Sequence, residues 1–296
     1  MTACKRRPQT VLCGALVLTL IAASAQAQSI PPPPKLSTVG SELGSDFKYL
    51  VNNVSEDAID VVRSPLHIKD TESWISNPRF YLIVGGSLAL FGGAFAMDKV
   101  MKANLRSMSP SDATLLQDIS YDSVSVGTGL MYAWGLYSGD ARARQYAITA
   151  GEGAGVATLA DIGIKAAFGR LRPRQSSSHL AFFDGGASFV SGDVTPMFAL
   201  ATGVSEYFDN RWYVATPVYS LALLDGFGRM GHNAHWFSDV VGAALLGTGT
   251  TELLLWMHKR HEIDPHRFKI FAVSAPTPTT AQGNVMPTGM GFAFAW

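Results

Sequence analysis

Six long apolar segments constrain this chain more than any other feature: Phe80 to Met97, Leu115 to Tyr137, Tyr146 to Phe168, Val194 to Phe208, Trp212 to Phe227 and Trp236 to His258. Each is long enough for a helix and none alternates like a strand, so the pattern predicts an all-α fold, a bundle of about six helices. Gly and Ala recur inside them, as in Gly85-Gly86, Gly92-Gly93 and Gly151-Glu152-Gly153-Ala154-Gly155. That composition costs helix propensity but lets helix backbones approach closely. Upstream, Phe47, Leu50, Val51, Val54, Ala58, Ile59 and Val62 recur at three and four residues, which predicts an extra N-terminal amphipathic helix over 43–62. Downstream, Phe268 to Val273 and Met290 to Trp296 are short and partly alternating and read as a C-terminal β-hairpin, with far too few strands for an outer-membrane barrel.

The first residues have the three parts of a secretory signal. Lys5, Arg6 and Arg7 precede an apolar run from Val11 to Ala23, and Ala25-Gln26-Ala27 supplies a cleavage site, giving a signal peptide over 1–27. The run falls short of the ~20 residues of a spanning helix. The expected location is therefore export to the periplasm, with membrane association. Residues 28–42, with Pro31 to Pro34, read as a Pro-rich linker, 43–262 as the helical domain and 263–296 as the tail. Cys4 and Cys13 both fall in the signal, so the exported chain has no disulfide, cysteine metal site or thiol nucleophile. With 47% apolar positions the 296-residue chain can bury a sizeable core, while its formal net charge of +0 creates no broad field for polyanions. Nucleic acid is not an expected partner, and any anion must be bound locally.

Local cations are present at a fixed spacing. Lys165 leads to Arg172-Pro173 in KAAFGRLRP, Ser191-Gly192-Asp193 follows in VSGD, and Arg229 leads to His235 and Asp239 in GRMGHNAHWFSD. This ordered set resembles the type 2 phosphatidic acid phosphatase and vanadium haloperoxidase family, whose pattern is Lys-x6-Arg-Pro, Pro-Ser-Gly-His and Ser-Arg-x5-His-x3-Asp. The likeness covers roughly the segment 145–258. It implies a metal-independent phosphomonoester or lipid-phosphate hydrolase that acts through a phosphohistidine at His235.

The residues support that chemistry on their own terms. A transferring phosphoryl group spreads charge over its equatorial oxygens, so convergent cations matter most. Lys165 offers a point charge, Arg172 and Arg229 offer planar forks, and the backbone near Ser191 and Gly192 at a helix start offers neutral donors. His235 and Asp239 lie one helical turn apart, where the carboxylate can hold the imidazole through Nδ1 and aim Nε2 outward. The phosphate chemistry calls for no metal and no cofactor, although vanadate would occupy the same cradle as a phosphate mimic. His179 and His232 read as loop or packing residues, and His258, His261 and His266 as a solvated basic helix end.

Asp193 departs from the pattern. It stands where the family has the histidine thought to protonate the leaving oxygen, and a carboxyl with a reference pKa near ~3.9 holds a proton poorly at neutral pH. Val190 and Gly228 also replace the family's proline and serine. Asp193 is at the same time a favourable N-cap for the helix beginning at Val194. Three outcomes follow: catalysis with Asp193 as acid, catalysis with His232, His179 or water in that role, or a weakened relative that only binds phosphate or lipid headgroups. A vanadate-dependent haloperoxidase is a further alternative. The expected partner is a phosphate-bearing small molecule or lipid headgroup, with a membrane surface as a second.

Overall fold

The computed structural model describes residues 36–63, 78–263, 270–274 and 290–294. The expected signal peptide over 1–27 and most of the expected linker over 28–42 lie outside the described residues. Seven α-helices are present among them: α1 (Leu36–Arg63), α2 (Pro78–Leu105), α3 (Pro110–Ser138), α4 (Ala141–Phe168), α5 (Val194–Tyr207), α6 (Trp212–Gly231) and α7 (Phe237–Ile263). The fold is all-α in class. Helix α1 starts at Leu36, inside the stretch read from sequence as linker. Strands β1 (Ile270–Ser274) and β2 (Met290–Phe294) pair antiparallel with Ile270 opposite Phe294.

Local chemistry sets the helix ends. Ser109 accepts from Asp112 N at 3.1 Å, with Pro110 at the first helical position of α3. The helix stops at Gly139, whose φ of 75° is left-handed, and Asp140 immediately caps α4 by accepting from Ala143 N at 3.1 Å. A two-residue connection of this kind forces α3 and α4 to run antiparallel. Gly169, at φ 49°, ends α4 and donates to Lys165 O at 2.9 Å, which fixes the direction in which the chain leaves Lys165.

The core forms where α3 to α7 meet, around Val124, Met131, Val194, Met197, Val218 and Val240. Small residues allow the close crossings. A Cβ on Gly203 would stand 2.4 Å from the Ala150 methyl, and one on Gly247 would meet the backbone of Thr195 and Ala199. Glycines that look unfavourable for helices thus let α5 lie directly on α4 and α7.

Helix α1 is amphipathic, but its polar side faces the bundle. Asp46, Asn53 and Asp57 are buried, whereas Phe47 is 69% exposed and Val51 and Val54 point outward. The cause is a set of buried polar partners: Arg144 on α4 donates to Asp46 Oδ2 at 2.9 Å and lies 3.5 Å from Glu42, while Tyr132 donates to Asp46 at 3.0 Å. A buried guanidinium demands a carboxylate more strongly than an apolar stripe demands burial. Helix α2 is apolar and outward-facing over most of its length, with Leu82 74% and Ile83 69% exposed. Tyr81–Leu105 and Phe237–Lys259 are long and apolar enough to cross a membrane.

Candidate active site

The ends of four helices carry the residues singled out by the sequence. Lys165 lies in the last turn of α4, Ser191, Gly192 and Asp193 lead into α5, Arg229 lies in the last turn of α6, and His235 and Asp239 flank the start of α7. Arg172 belongs to the loop between α4 and α5. Direct contacts join these pieces. Arg229 Nη2 is 2.7 Å from Asp193 Oδ2, Ser191 N donates to Asp239 O at 3.2 Å, and a Cβ on Gly192 would stand 2.7 Å from Lys165 Nζ. Glycine at 192 is what leaves room for that ammonium, which pairs with Asp161 one turn earlier. Lys165, Arg172, Ser191, Gly192, Asp193, Arg229, His235 and Asp239 thus gather at one end of the bundle.

His235 is 3% exposed, and its Nδ1 bonds to the carbonyl of Ser188 at 2.8 Å. A carbonyl only accepts, so Nδ1 carries the proton and Nε2 keeps its lone pair. The nearest Asp239 oxygen is 3.7 Å from Nδ1. The predicted Nδ1 to carboxylate hydrogen bond is therefore replaced by a bond to Ser188 O, with Asp239 acting on the ring through its charge. The Asp239 oxygens are already engaged: Oδ2 accepts from Ser188 Oγ at 2.5 Å and Trp236 N at 2.8 Å, and Oδ1 accepts from Arg170 Nη1.

Arg170 was not singled out by sequence reasoning, yet it centres this layer. Its side chain is fully buried and bridges Asp239 and Asp98, with Nη2 2.7 Å from Asp98 Oδ2. It also donates to Ser238 Oγ at 2.8 Å and to His179 O at 2.7 Å. Its guanidinium lies within 5.4 Å of the ring centres of Phe95, Phe182 and Trp236. Asp98 in turn accepts from Ser238 N and Ser238 Oγ, both at 2.8 Å, so α2 is tied to the start of α7. The available signal was Asp98 itself, the first charge after the apolar run Phe80 to Met97. His179 packs edge-on against Phe95 at 5.0 Å, and His232 Nε2 is 3.3 Å from Thr114 Oγ1 at the end of α6.

Some polar atoms at this end of the bundle keep their hydrogen-bonding capacity unused. Ser191 Oγ and Arg229 Nε are buried without hydrogen-bond partners, and Arg172 forms no ion pair among the described residues. The Ser191 N–H, expected to serve the anion, is instead committed to Asp239 O. Asp193 occupies the N-cap position of α5, but its side chain makes no capping bond and its carboxylate turns to Arg229. Burial, then the neighbouring charges of Arg174 and Arg229, lower the pKa of Arg172.

Burial is the main cause that holds the His235 pKa below the ordinary 6.5, with Arg229 and Arg172 acting in the same direction and Asp239 opposing. A lowered imidazole pKa keeps Nε2 unprotonated at neutral pH. An acidic limb in kcat/KM that arises from His235 should consequently lie below pH 6.5. A pH profile on a substrate that does not titrate in that range checks this, and a His235 limb at or above the ordinary value would contradict it.

Cations gathered at one end of a helical bundle beside an oriented imidazole are an arrangement suited to phosphoryl transfer. Residues 146–263 match the PAP2 superfamily, and this segment holds every residue of the cradle. That segment therefore matches the same family that the spacing of its motifs resembles, the type 2 phosphatidic acid phosphatases. A 95-residue stretch is 34% identical to the lipid A 1-phosphatase of Porphyromonas gingivalis, covering 31% of this chain and 19% of that protein. The chain therefore spans about a fifth of that relative's length. No solved structure matches.

Proposed function

We propose that this protein hydrolyses a phosphate monoester, with a lipid headgroup as the favoured substrate, through a phosphohistidine at His235. The observation that carries the reading is the His235 geometry: Nδ1 is committed to Ser188 O at 2.8 Å, which leaves the Nε2 lone pair for the phosphorus. In the first step Nε2 bonds to phosphorus, the bond to the leaving oxygen breaks, and that oxygen takes a proton. In the second step water attacks phosphorus, the N–P bond breaks and inorganic phosphate leaves. Lys165, Arg172, Arg229 and the Ser191 hydroxyl neutralise the transferring oxygens, and Asp239 stabilises the positive charge that forms on the ring. Vanadate is proposed to bind the same cradle and to inhibit.

Two observations favour a lipid phosphate over a soluble one. The loop bearing Arg172 presents Leu180 at 62% and Phe183 at 76% exposure beside the cradle. Helix α2, whose Asp98 reaches the Arg170 layer, continues away from it as an exposed apolar surface. An enzyme attached to a membrane along α2 would hold its phosphate cradle near the headgroups. Release of phosphate from a lipid phosphate monoester in mixed micelles, compared with a soluble aryl phosphate, tests the proposal. Preference for the micellar substrate supports it, and no turnover of either between about pH 4 and 9 would favour the binding-only alternative.

Asp193 gives this site a feature of its own. Its carboxylate sits on Arg229, where a phosphate oxygen is proposed to bind, so substrate must displace it. Both side chains are partly exposed, and such pairs are worth about 0.2–1 kcal/mol. Asp193→Asn is expected to lower KM by up to about fivefold. Asp193→His, which adds a group able to carry a proton near neutral pH, is expected to raise kcat at about pH 7. Steady-state kinetics on both variants check this, and an unchanged KM together with an unchanged kcat would contradict it.

A further inference from the structure

The far end of α7 carries a second polar cluster, roughly 34 Å along the helix axis from His235 at the rise of an α-helix. His258 is not the solvated helix-end residue that its basic neighbourhood suggests; it is 4% exposed. Its Nε2 is 2.9 Å from Asp57 Oδ2 on α1 and 3.5 Å from Glu152 Oε2 on α4. Its Nδ1 is 3.1 Å from both Thr149 Oγ1 and the Tyr49 hydroxyl. One donor atom from each of Asp57, Glu152 and His258 falls within 4.8 Å of the others.

We propose that Asp57, Glu152 and His258 form a binding site for a divalent transition-metal ion of the Zn2+ type, which fastens α1 to the bundle. Three features carry it. First, the side chain of Glu152 is 4% exposed and its Oε2 has no hydrogen-bond partner, so an acceptor that is costly to leave unsatisfied faces the other two ligands. Second, the two spacings from His258 Nε2, 2.9 and 3.5 Å, bracket the ~3.3 Å edge of a tetrahedron with bonds of about 2.0 Å, and the two carboxylate oxygens lie within 4.8 Å of each other. Third, the hydroxyls at Nδ1 can accept its proton and so leave Nε2 as a ligand, the outer arrangement usual for a metal-bound histidine.

One imidazole and two carboxylates suit a borderline cation better than Mg2+ or Ca2+, which prefer all-oxygen shells. The ion would join α1, α4 and α7, and α1 is the helix whose apolar side faces away from the protein. This site lies apart from the phosphate cradle, whose chemistry calls for no metal.

The test uses the untagged full-length chain in detergent, stripped with a chelator and titrated with Zn2+ by calorimetry, with Co2+ as a spectroscopic probe. One Zn2+ bound per chain is expected, together with visible Co2+ bands of nitrogen and oxygen ligation. Glu152→Gln, with folding checked by circular dichroism, is expected to weaken binding by at least about 100-fold, beyond the 10–100-fold carried by outer partners. Should that variant not fold, the wild-type Co2+ spectrum and stoichiometry decide. No binding by the wild-type chain would overturn the proposal, leaving His258 as a proton-sharing partner of the two carboxylates. Unaltered binding by folded Glu152→Gln would overturn it as well.

Discussion

Replacing His235 by alanine is expected to lower kcat at least about ten-thousand-fold while changing the inhibition constant for inorganic phosphate by no more than about threefold. The asymmetry follows from the division of labour in the site. Lys165, Arg172, Arg229 and Ser191 are held by α4, the following loop, α6 and the start of α5, none of which depends on the imidazole for its position. Removing the nucleophile therefore leaves an anion cradle without a route to the covalent intermediate. A matching loss of phosphate affinity would mean that His235 binds rather than attacks.

The second large effect is expected at Arg170, which never meets substrate. Its side chain is fully buried between two buried carboxylates, Asp98 and Asp239. Arg170→Leu removes the only cation bridging that pair, among the described residues, and leaves two desolvated charges facing one another. Breaking a buried pair of this kind costs about 3–5 kcal/mol. At ~2–4 °C per kcal/mol for a domain of this size, the midpoint of thermal unfolding should fall by roughly 6–20 °C. Turnover should fall too, because Asp239 holds the Ser188 hydroxyl while the Ser188 carbonyl holds His235. Differential scanning fluorimetry in detergent reads the first effect. Arg170→Lys separates the second: it is expected to recover part of the stability but not the activity, since one ammonium cannot reproduce a fork that serves Asp98, Asp239, Ser238 and His179 together. Full activity in Arg170→Lys would show that the layer merely fills space.

The helices and the cradle were readable for different reasons. Six-fold repetition of a long apolar run with Gly and Ala inside it leaves little but close-packed helices, and the ends differ from the expected ones mainly by added turns, as where α6 continues to Gly231 through Arg229. The cradle was readable because each of its residues lies in a short motif and the bundle brings three loop ends together. Arg170 lies in the same motif as Arg172, two positions away, but spacing alone does not say which arginine faces the anion and which faces the core. Its partner Asp98 is distant in sequence, and periodicity carries no record of a pairing between separate helices. The same limit applies to α1. The three-and-four repeat of Phe47, Leu50, Val51 and Val54 establishes two faces, but which one meets the bundle depends on Arg144 and His258, buried on other helices with needs only carboxylates meet. Asp193 was legible as the residue at the N-cap position and as a departure, whereas the loss of its capping bond to an attachment at Arg229 required the turn before α5.

The central claim is that phosphorus passes through Nε2 of His235. The most direct measurement is rapid quenching of the enzyme with a radiolabelled phosphate monoester into alkaline detergent, followed by a count of label on the protein. Wild type should carry label that survives alkali and is lost in acid, as a phosphoramidate bond requires, and His235→Gln should carry none. Equal labelling of the two proteins, or full turnover by wild type with no labelled protein at any quench time, would contradict the account.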